Sequence, residues 1–328
     1  MKVLHYGSRG ADTGAIDRIS EGMGLEFERV GEPLGMANAG AARGCRAVWL
    51  STSSAVGEGV ARALAGAGVK YIVSNAAGYD HLDVGAIRAS GLKASNVPAY
   101  SPNAISEYTI LLALSLLRKL KPTLRRVAGN DFTLAGLRGR EICSMTAGVV
   151  GTGRIGSETA RTLAAFGGRV VAHDARENPK LAGAAEYMPL DALFGECGII
   201  MFHCPLTEET RHIVDARAIS LMRDGVCLVN TARGGLFDFE AVRGALDSGK
   251  VGALAFDVYE NEHELLRNGE PGVAPPDPLF CDLAGRDNVI YSPHASFFTD
   301  RSVDAMMRTS IENLREYLTT GACRYELT

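Results

Sequence analysis

Short apolar runs, alternating with apolar positions at helical spacing, account for most of the chain. Lys2–Tyr6, Ala47–Leu50 and residues 71–73 read as buried strands, with a helical pattern over 55–64 between the last two. A second series follows at 149–150, 170–172, 199–203, Val226–Asn230, 253–257 and Val289–Tyr291. Strands that lack polar alternation are covered on both faces, and strands alternating with helices make parallel sheets. The pattern predicts an α/β chain with two parallel-sheet domains. Pro98 and Pro102 break regular structure between the two series and mark a crossing point near residue 100. Beyond it come an apolar helix over 104–117, a polar and irregular stretch over 121–141, and a last helical pattern at Val303, Met306, Met307, Ser310, Ile311, Leu314 and Leu318.

One joint in the second series carries a ligand signature. Gly151, Thr152, Gly153, Arg154, Ile155 and Gly156 form a G-x-G-x-x-G turn between a strand and a helix whose apolar face is Ile155, Thr159, Leu163 and Phe166. Gly151 permits the tight turn, Gly153 lets a pyrophosphate approach the backbone, and Gly156 lets helix and strand pack closely. The N–H groups at the helix start face the anion. Asp174 lies 23 residues after Gly151, at the end of the next strand, where a carboxylate accepts both ribose hydroxyls. The same charge repels a 2′-phosphate and so selects NAD over NADP, with Arg176 as the one neighbour that argues the other way.

A length of 328 residues suits two domains, and 46% hydrophobic with 22% charged residues is the profile of a soluble globular enzyme. The balance of 34 basic against 38 acidic residues shows no basic tract that stands out, so no nucleic acid is expected as a partner. Seven cysteines scattered without a CxxC pair read as reduced thiols of a cytoplasmic protein. The start lacks a secretory segment, and the 104–117 helix, with Ser106, Glu107 and Thr109, is too short and polar to cross a membrane; it reads as a buried or interface helix. No His, Cys and Asp spacing suggests a metal.

Reactive side chains fall in three pieces, NTARGG at 230–235, DVYENE at 257–262 and SPHASFF at 292–298, each just after an expected strand. Ligands of such sheets bind beyond the carboxyl ends of the strands, so the three pieces can converge. Together with VPAYSPNAISEY and GVVGTGRIG, these motifs resemble the D-isomer-specific 2-hydroxyacid dehydrogenase family, nearest its D-lactate branch. The gaps match as well, with 29 residues from Arg233 to Glu262 and 61 from Arg233 to His294.

The resemblance implies a doubly wound Rossmann NAD-binding domain over 101–297 and a flavodoxin-like substrate domain built from 1–100 plus 298–328, with the site in the cleft between them. It implies reduction of a 2-keto acid to a D-2-hydroxy acid, foremost pyruvate to D-lactate. Arg233 would hold the substrate carboxylate, His294 would be the general acid and base, and Glu262 would orient His294 and raise its pKa. Cys204, Pro205, Thr210, Thr231, Ala232 and Asp257 would lie beside NAD with the glycine turn. For Asp257 the alternative is a capping role, and for Cys204 a covalent role is set aside because hydride transfer needs none. His5, His81, His173, His212 and His263 have no constellation around them and read as structural or exposed.

On the substrate side, backbone N–H groups of Ala77 and Gly78 would take the carboxylate, and Tyr100 and Phe297 would wall the pocket. The lactate pattern has Arg where Asn75 aligns and Tyr where Ser51 aligns, so a larger pocket and longer 2-keto acids form the alternative. The family also implies a homodimer formed through the 104–117 helix and the segment after it. It includes NADH-binding co-repressors, which keeps a non-catalytic sensor open as a third reading.

Overall fold

The computed structural model describes residues 1–8, 13–260, 262, 265 and 272–328. Its contacts divide the chain into two units, Met1–Ser101 with Phe298–Thr328, and Pro102–Phe297.

The first unit is a five-stranded parallel sheet of β1 (Lys2–Tyr6), β2 (Glu26–Val30), β3 (Ala47–Leu50), β4 (Tyr71–Ser74) and β5 (Lys93–Ser95), in the order β2-β1-β3-β4-β5. That is the flavodoxin-like order. Alternate residues of β3 serve opposite faces: Val48 and Leu50 pack with Leu64 and Ile72, while Trp49 packs with Ile311, Leu314 and Tyr317 of the Asp300–Thr320 helix. The end of the chain therefore supplies one wall of the first unit. Thr299 caps that helix by accepting from Ser302 N–H at 3.3 Å, and Gly321 ends it in a left-handed turn at φ 81°.

The second unit holds seven parallel strands: β6 (Ala147–Val150), β7 (Val170–His173), β8 (Glu186–Tyr187), β9 (Ile199–Phe202), β10 (Val226–Asn230), β11 (Val251–Phe256) and β12 (Val289–Tyr291). The order is β12-β11-β10-β9-β6-β7-β8, a Rossmann arrangement with one added strand, and it reverses between β6 and β9. Val149, Met201 and Val229 face the Pro102–Leu117 helix side, and Val150, Phe202 and Phe256 face the opposite layer.

Three strands escaped the apolar pattern, and all are at edges. β2 is the charged sequence EFERV with no buried residue, while β5 and β8 have three and two residues. Short, charged edges limit pairing with other chains and carry little hydrophobic signal.

The stretch over 121–141 is not wholly irregular, because Leu120–Ala128 is a helix. Pro122 sits in its first turn, where a missing N–H does no harm, and it buries no residue, so neither composition nor burial announced it. Lys121 Nζ fixes this helix by donating to the carbonyls of Ala284, Arg286 and Val289 at 2.7, 2.7 and 2.8 Å. The segment 118–140 also holds seven basic residues and one acidic, a basic tract that the whole-chain balance of −4 conceals.

Candidate active site and nucleotide turn

The turn after β6 uses its three glycines for three different reasons. Gly151 has φ +91°, and a Cβ there would lie 2.4 Å from the backbone nitrogen of Cys204. Gly156 would place a Cβ 1.8 Å from the carbonyl oxygen of Gly151. At Gly153, which caps the Arg154–Ala165 helix, a Cβ would meet nothing within 4 Å. The first and third close the turn, and the second keeps open space at the helix N-terminus, where an anion is favoured. Arg154 is exposed and Ile155 half-buried in the first helical turn.

Asp174 follows β7 and accepts from Thr152 N–H at 2.5 Å, Thr152 Oγ1 at 3.1 Å and Arg176 N–H at 3.0 Å. Burial opposes its charge, but the hydrogen bonds from Arg176 and Thr152 outweigh that and hold the carboxyl below its ordinary range. An ionised acid thus stands beside the open helix start. This arrangement fits the phosphates and ribose of a dinucleotide.

After β9, Cys204 is buried, and burial pushes its thiol up to about 11, so it is no nucleophile at neutral pH. His203 N–H donates to Val150 O at 2.7 Å, and burial lowers its imidazole to about 4. Thr210 Oγ1 donates to Pro205 O and accepts from Thr207 N–H, both at 2.7 Å, so its hydroxyl shapes the 205–210 turn.

After β10, Asn230 does work that the sequence did not reveal. Fully buried, it accepts from Ala232 N–H at 3.0 Å and donates to Arg233 O at 2.9 Å, fixing the turn that presents Arg233. Its place at the end of a strand in NTARGG was the only signal. Gly234 packs against the next loop, since a Cβ there would lie 2.1 Å from the carbonyl carbon of Tyr259. Thr231, expected beside the cofactor, has its buried hydroxyl on Thr109 Oγ1 at 2.7 Å, inside the core.

Beyond β11 and β12, Asp257 is fully buried and its carboxylate accepts from Ser292 Oγ at 2.5 Å, Ala295 N–H at 2.8 Å and Ser296 N–H at 2.9 Å. Three of its roughly four acceptor positions are taken. Of its two readings, cofactor contact or cap, the geometry is that of a cap for the 292–296 loop. His294 in that loop has φ 52° and donates its N–H to Asp257 O at 2.8 Å.

His294 Nδ1 lies 2.9 Å from Glu262 Oε1, and Glu262 Oε2 accepts from Tyr259 N–H at 3.1 Å. Burial pulls the His294 pKa down, but the hydrogen bond and charge of Glu262, then the charge of Asp257, push it up against Arg233; the net shift is upward. With Glu262 on Nδ1, Nε2 is the nitrogen left to exchange a proton. The Phe297 ring lies 6.3 Å from that of His294 at 76°.

Ala77, Gly78 and Tyr100 are half-buried residues of the first unit, where Ala77 O accepts from Asn96 Nδ2 at 2.7 Å. The remaining histidines have local partners: His5 stacks on Trp49 at 4.3 Å, His81 bonds Ser74, His173 bonds Met188 O and His212 bonds Glu260. His263 lies outside the described residues, as does Asn261 of the DVYENE piece. Among the described residues no cluster of His, Cys, Asp and Glu could hold a metal, and no helix is long and apolar enough to cross a membrane.

The sequence model of the D-isomer specific 2-hydroxyacid dehydrogenase NAD binding domain matches residues 110–296. The chain belongs to the D-isomer-specific 2-hydroxyacid dehydrogenase family. It is 35% identical over 328 residues to D-lactate dehydrogenase of Escherichia coli, covering all of both chains. It is also 35% identical over 325 residues to an aromatic 2-oxoacid reductase of Clostridium sporogenes, covering 99% of this chain and 98% of that one. The structure of a D-2-hydroxyisocaproate dehydrogenase superposes with a TM-score of 0.87 at 32% identity, with full coverage of both chains. As a member of the D-lactate dehydrogenase branch, the chain is an NAD-dependent oxidoreductase, which sets the sensor reading aside.

The glycines predict separable defects. Gly156→Ala, which forces backbone apart, should lower the unfolding midpoint by several degrees, in line with an overpacking cost of about 1–3 kcal/mol, and weaken NADH binding with it. Gly153→Ala should keep the midpoint and weaken NADH about tenfold or more, because its Cβ enters only the ligand's space. NADH titration by fluorescence beside thermal unfolding reads both, and unaltered affinity in Gly153→Ala would remove this turn from the cofactor site.

Proposed function

We propose that the chain reduces a 2-keto acid to a D-2-hydroxy acid, foremost pyruvate to D-lactate, with Arg233, Glu262 and His294 as the reacting set. The observation that carries the reading is the 2.9 Å contact between His294 and Glu262, 32 residues apart in sequence. Bound NADH supplies the hydride that reaches C2 of the keto acid. Arg233 holds the carboxylate, and its planar five-donor guanidinium also reaches the keto oxygen. Ala77 and Gly78 offer backbone N–H groups to the same carboxylate, and Tyr100 and Phe297 bound the side-chain pocket. Protonated His294 gives its Nε2 proton to the keto oxygen as charge develops there, and recovers it in the oxidation direction.

A wider substrate range is the second reading. Ser51 and Asn75 are smaller than the residues of the lactate pattern, and the Ser51 hydroxyl is held by Ser53 at 2.7 Å. The aromatic 2-oxoacid reductase and the D-2-hydroxyisocaproate dehydrogenase among the matches favour it. We also assign a homodimer to the chain. Leu124, Phe132 and Leu134 are 60, 73 and 83% exposed. They lie within the 118–140 segment of net charge +6, whereas the rest of the chain holds 27 basic against 37 acidic residues. The same exposed side chains on a second copy thus offer apolar area for the two to cover. The seven cysteines, all free thiols, suit a reducing cytoplasm.

Three measurements test these assignments. Initial rates of NADH oxidation across a panel of 2-keto acids should be fastest with pyruvate and yield D-lactate; faster turnover on 2-ketoisocaproate or phenylpyruvate would replace that reading with the wider one. The raised His294 pKa keeps the acid form to higher pH, so reduction should fall off as pH rises through that value. Glu262→Gln should move the fall-off down by on the order of one pH unit or more, with the fold intact, and an unmoved profile would mean that Glu262 does not act on His294. Light scattering should give twice the chain mass for the parent protein and the single-chain mass for Leu124→Glu with Leu134→Glu; a dimer that survives both substitutions would place the interface elsewhere.

A further inference from the structure

The amino ends of β6, β9 and β10 meet at a cavity of about 470 Å³ whose wall includes Arg140, Arg169, Arg223, Ser144 and Thr146. In a parallel sheet this edge is opposite the one that carries Gly151, Cys204 and Arg233, so the cavity is separate from the nucleotide turn. Charge in it is unevenly matched. Arg169 is neutralised by Glu186 at 2.8 Å and Glu196 at 2.5 Å, and Asp224 is taken by Lys250 at 2.9 Å.

Arg140 and Arg223 have no such partner among the described residues. Arg140 donates to Gly225 O at 3.2 Å and to Cys227 Sγ at 2.8 Å, and burial raises that thiol's pKa, so it carries no charge at neutral pH. Among the described residues Arg223 hydrogen-bonds only Glu196 O, at 3.5 Å. Carbonyl and thiol acceptors satisfy N–H groups but cancel no charge, and each guanidinium keeps further donors unused. A second cavity of about 260 Å³ shares Arg140 and adds Lys119, Arg126 and Arg138 to its wall. Both walls are mainly basic, and their acidic members, Asp224 and Asp287, are paired with Lys250 at 2.9 Å and Arg125 at 2.5 Å; a concave wall rich in one sign focuses the field.

We propose that Arg140 and Arg223 form a second anion site, for a small molecule carrying two or more phosphate or carboxylate groups. The site goes beyond the hydride chemistry and requires none of its residues. Two guanidiniums facing one cavity match a pair of anionic groups better than a single carboxylate, since each can bind one group in a forked manner.

Pyrophosphate is a suitable probe, provided that the nucleotide turn is first filled. Calorimetric titration of the full chain in saturating NADH, at ionic strength held constant with sodium chloride, should show saturable binding. Arg140→Gln with Arg223→Gln should weaken it about tenfold or more, with NADH affinity and unfolding midpoint unchanged. Arg223→Gln alone loses one weak backbone contact, so it keeps the test valid if the double variant folds poorly, and it should show a smaller loss. Binding abolished by NADH, equal binding in parent and variants, or no saturable heat would each overturn the proposal.

Discussion

The buried carboxylate of Asp257 constrains everything that the reacting loop does. A charge with no solvent exposure is costly unless hydrogen bonds surround it. The Ser292 hydroxyl and the N–H groups of Ala295 and Ser296 supply them, and all three belong to the residues that flank His294. Satisfying the carboxylate therefore curls the chain around that histidine, which is left in the left-handed region at φ 52°. Such a backbone is uncommon outside glycine and is kept because releasing it would strand the buried charge. With the loop fixed, the imidazole meets Glu262, whose other oxygen is held by Tyr259. On the neighbouring strand Asn230 has the matching role, clamping both sides of the turn that presents Arg233.

These supports explain what the sequence could and could not disclose. Central strands such as Val226–Asn230 are read directly, because burial on both faces demands an apolar run. β2 and β8 are missed because an edge strand is made to look unlike a strand. The Leu120–Ala128 helix is missed for a related reason: it buries nothing within its own chain, so its apolar positions follow no core.

At the nucleotide turn Gly151 and Gly156 could be read singly, since each answers to a steric limit that no other residue meets, whereas Gly153 meets no such limit within its own chain. Roles that depend on direction were not. Thr231 stands in the expected place beside Arg233, yet its hydroxyl turns inward to Thr109. Asp257 was placed correctly after its strand, but only the geometry shows three donors closing on it. Spacing locates a residue along the chain, whereas the direction of a side chain is decided by partners that are remote in sequence.

The separation of the cores bears on how such a chain can change. Among the described residues each buried apolar cluster lies wholly within one unit, with Leu4, Trp49 and Ile311 on one side of the division and Val149, Phe202 and Phe256 on the other. Substitutions around Ser51 or Asn75 are therefore absorbed by the packing of the smaller unit, while β10, β11 and β12 keep Arg233, Glu262 and His294 in register. Under the proposed division of labour, the residues of the smaller unit can vary the choice of acid while the machinery of reduction in the larger one stays constant.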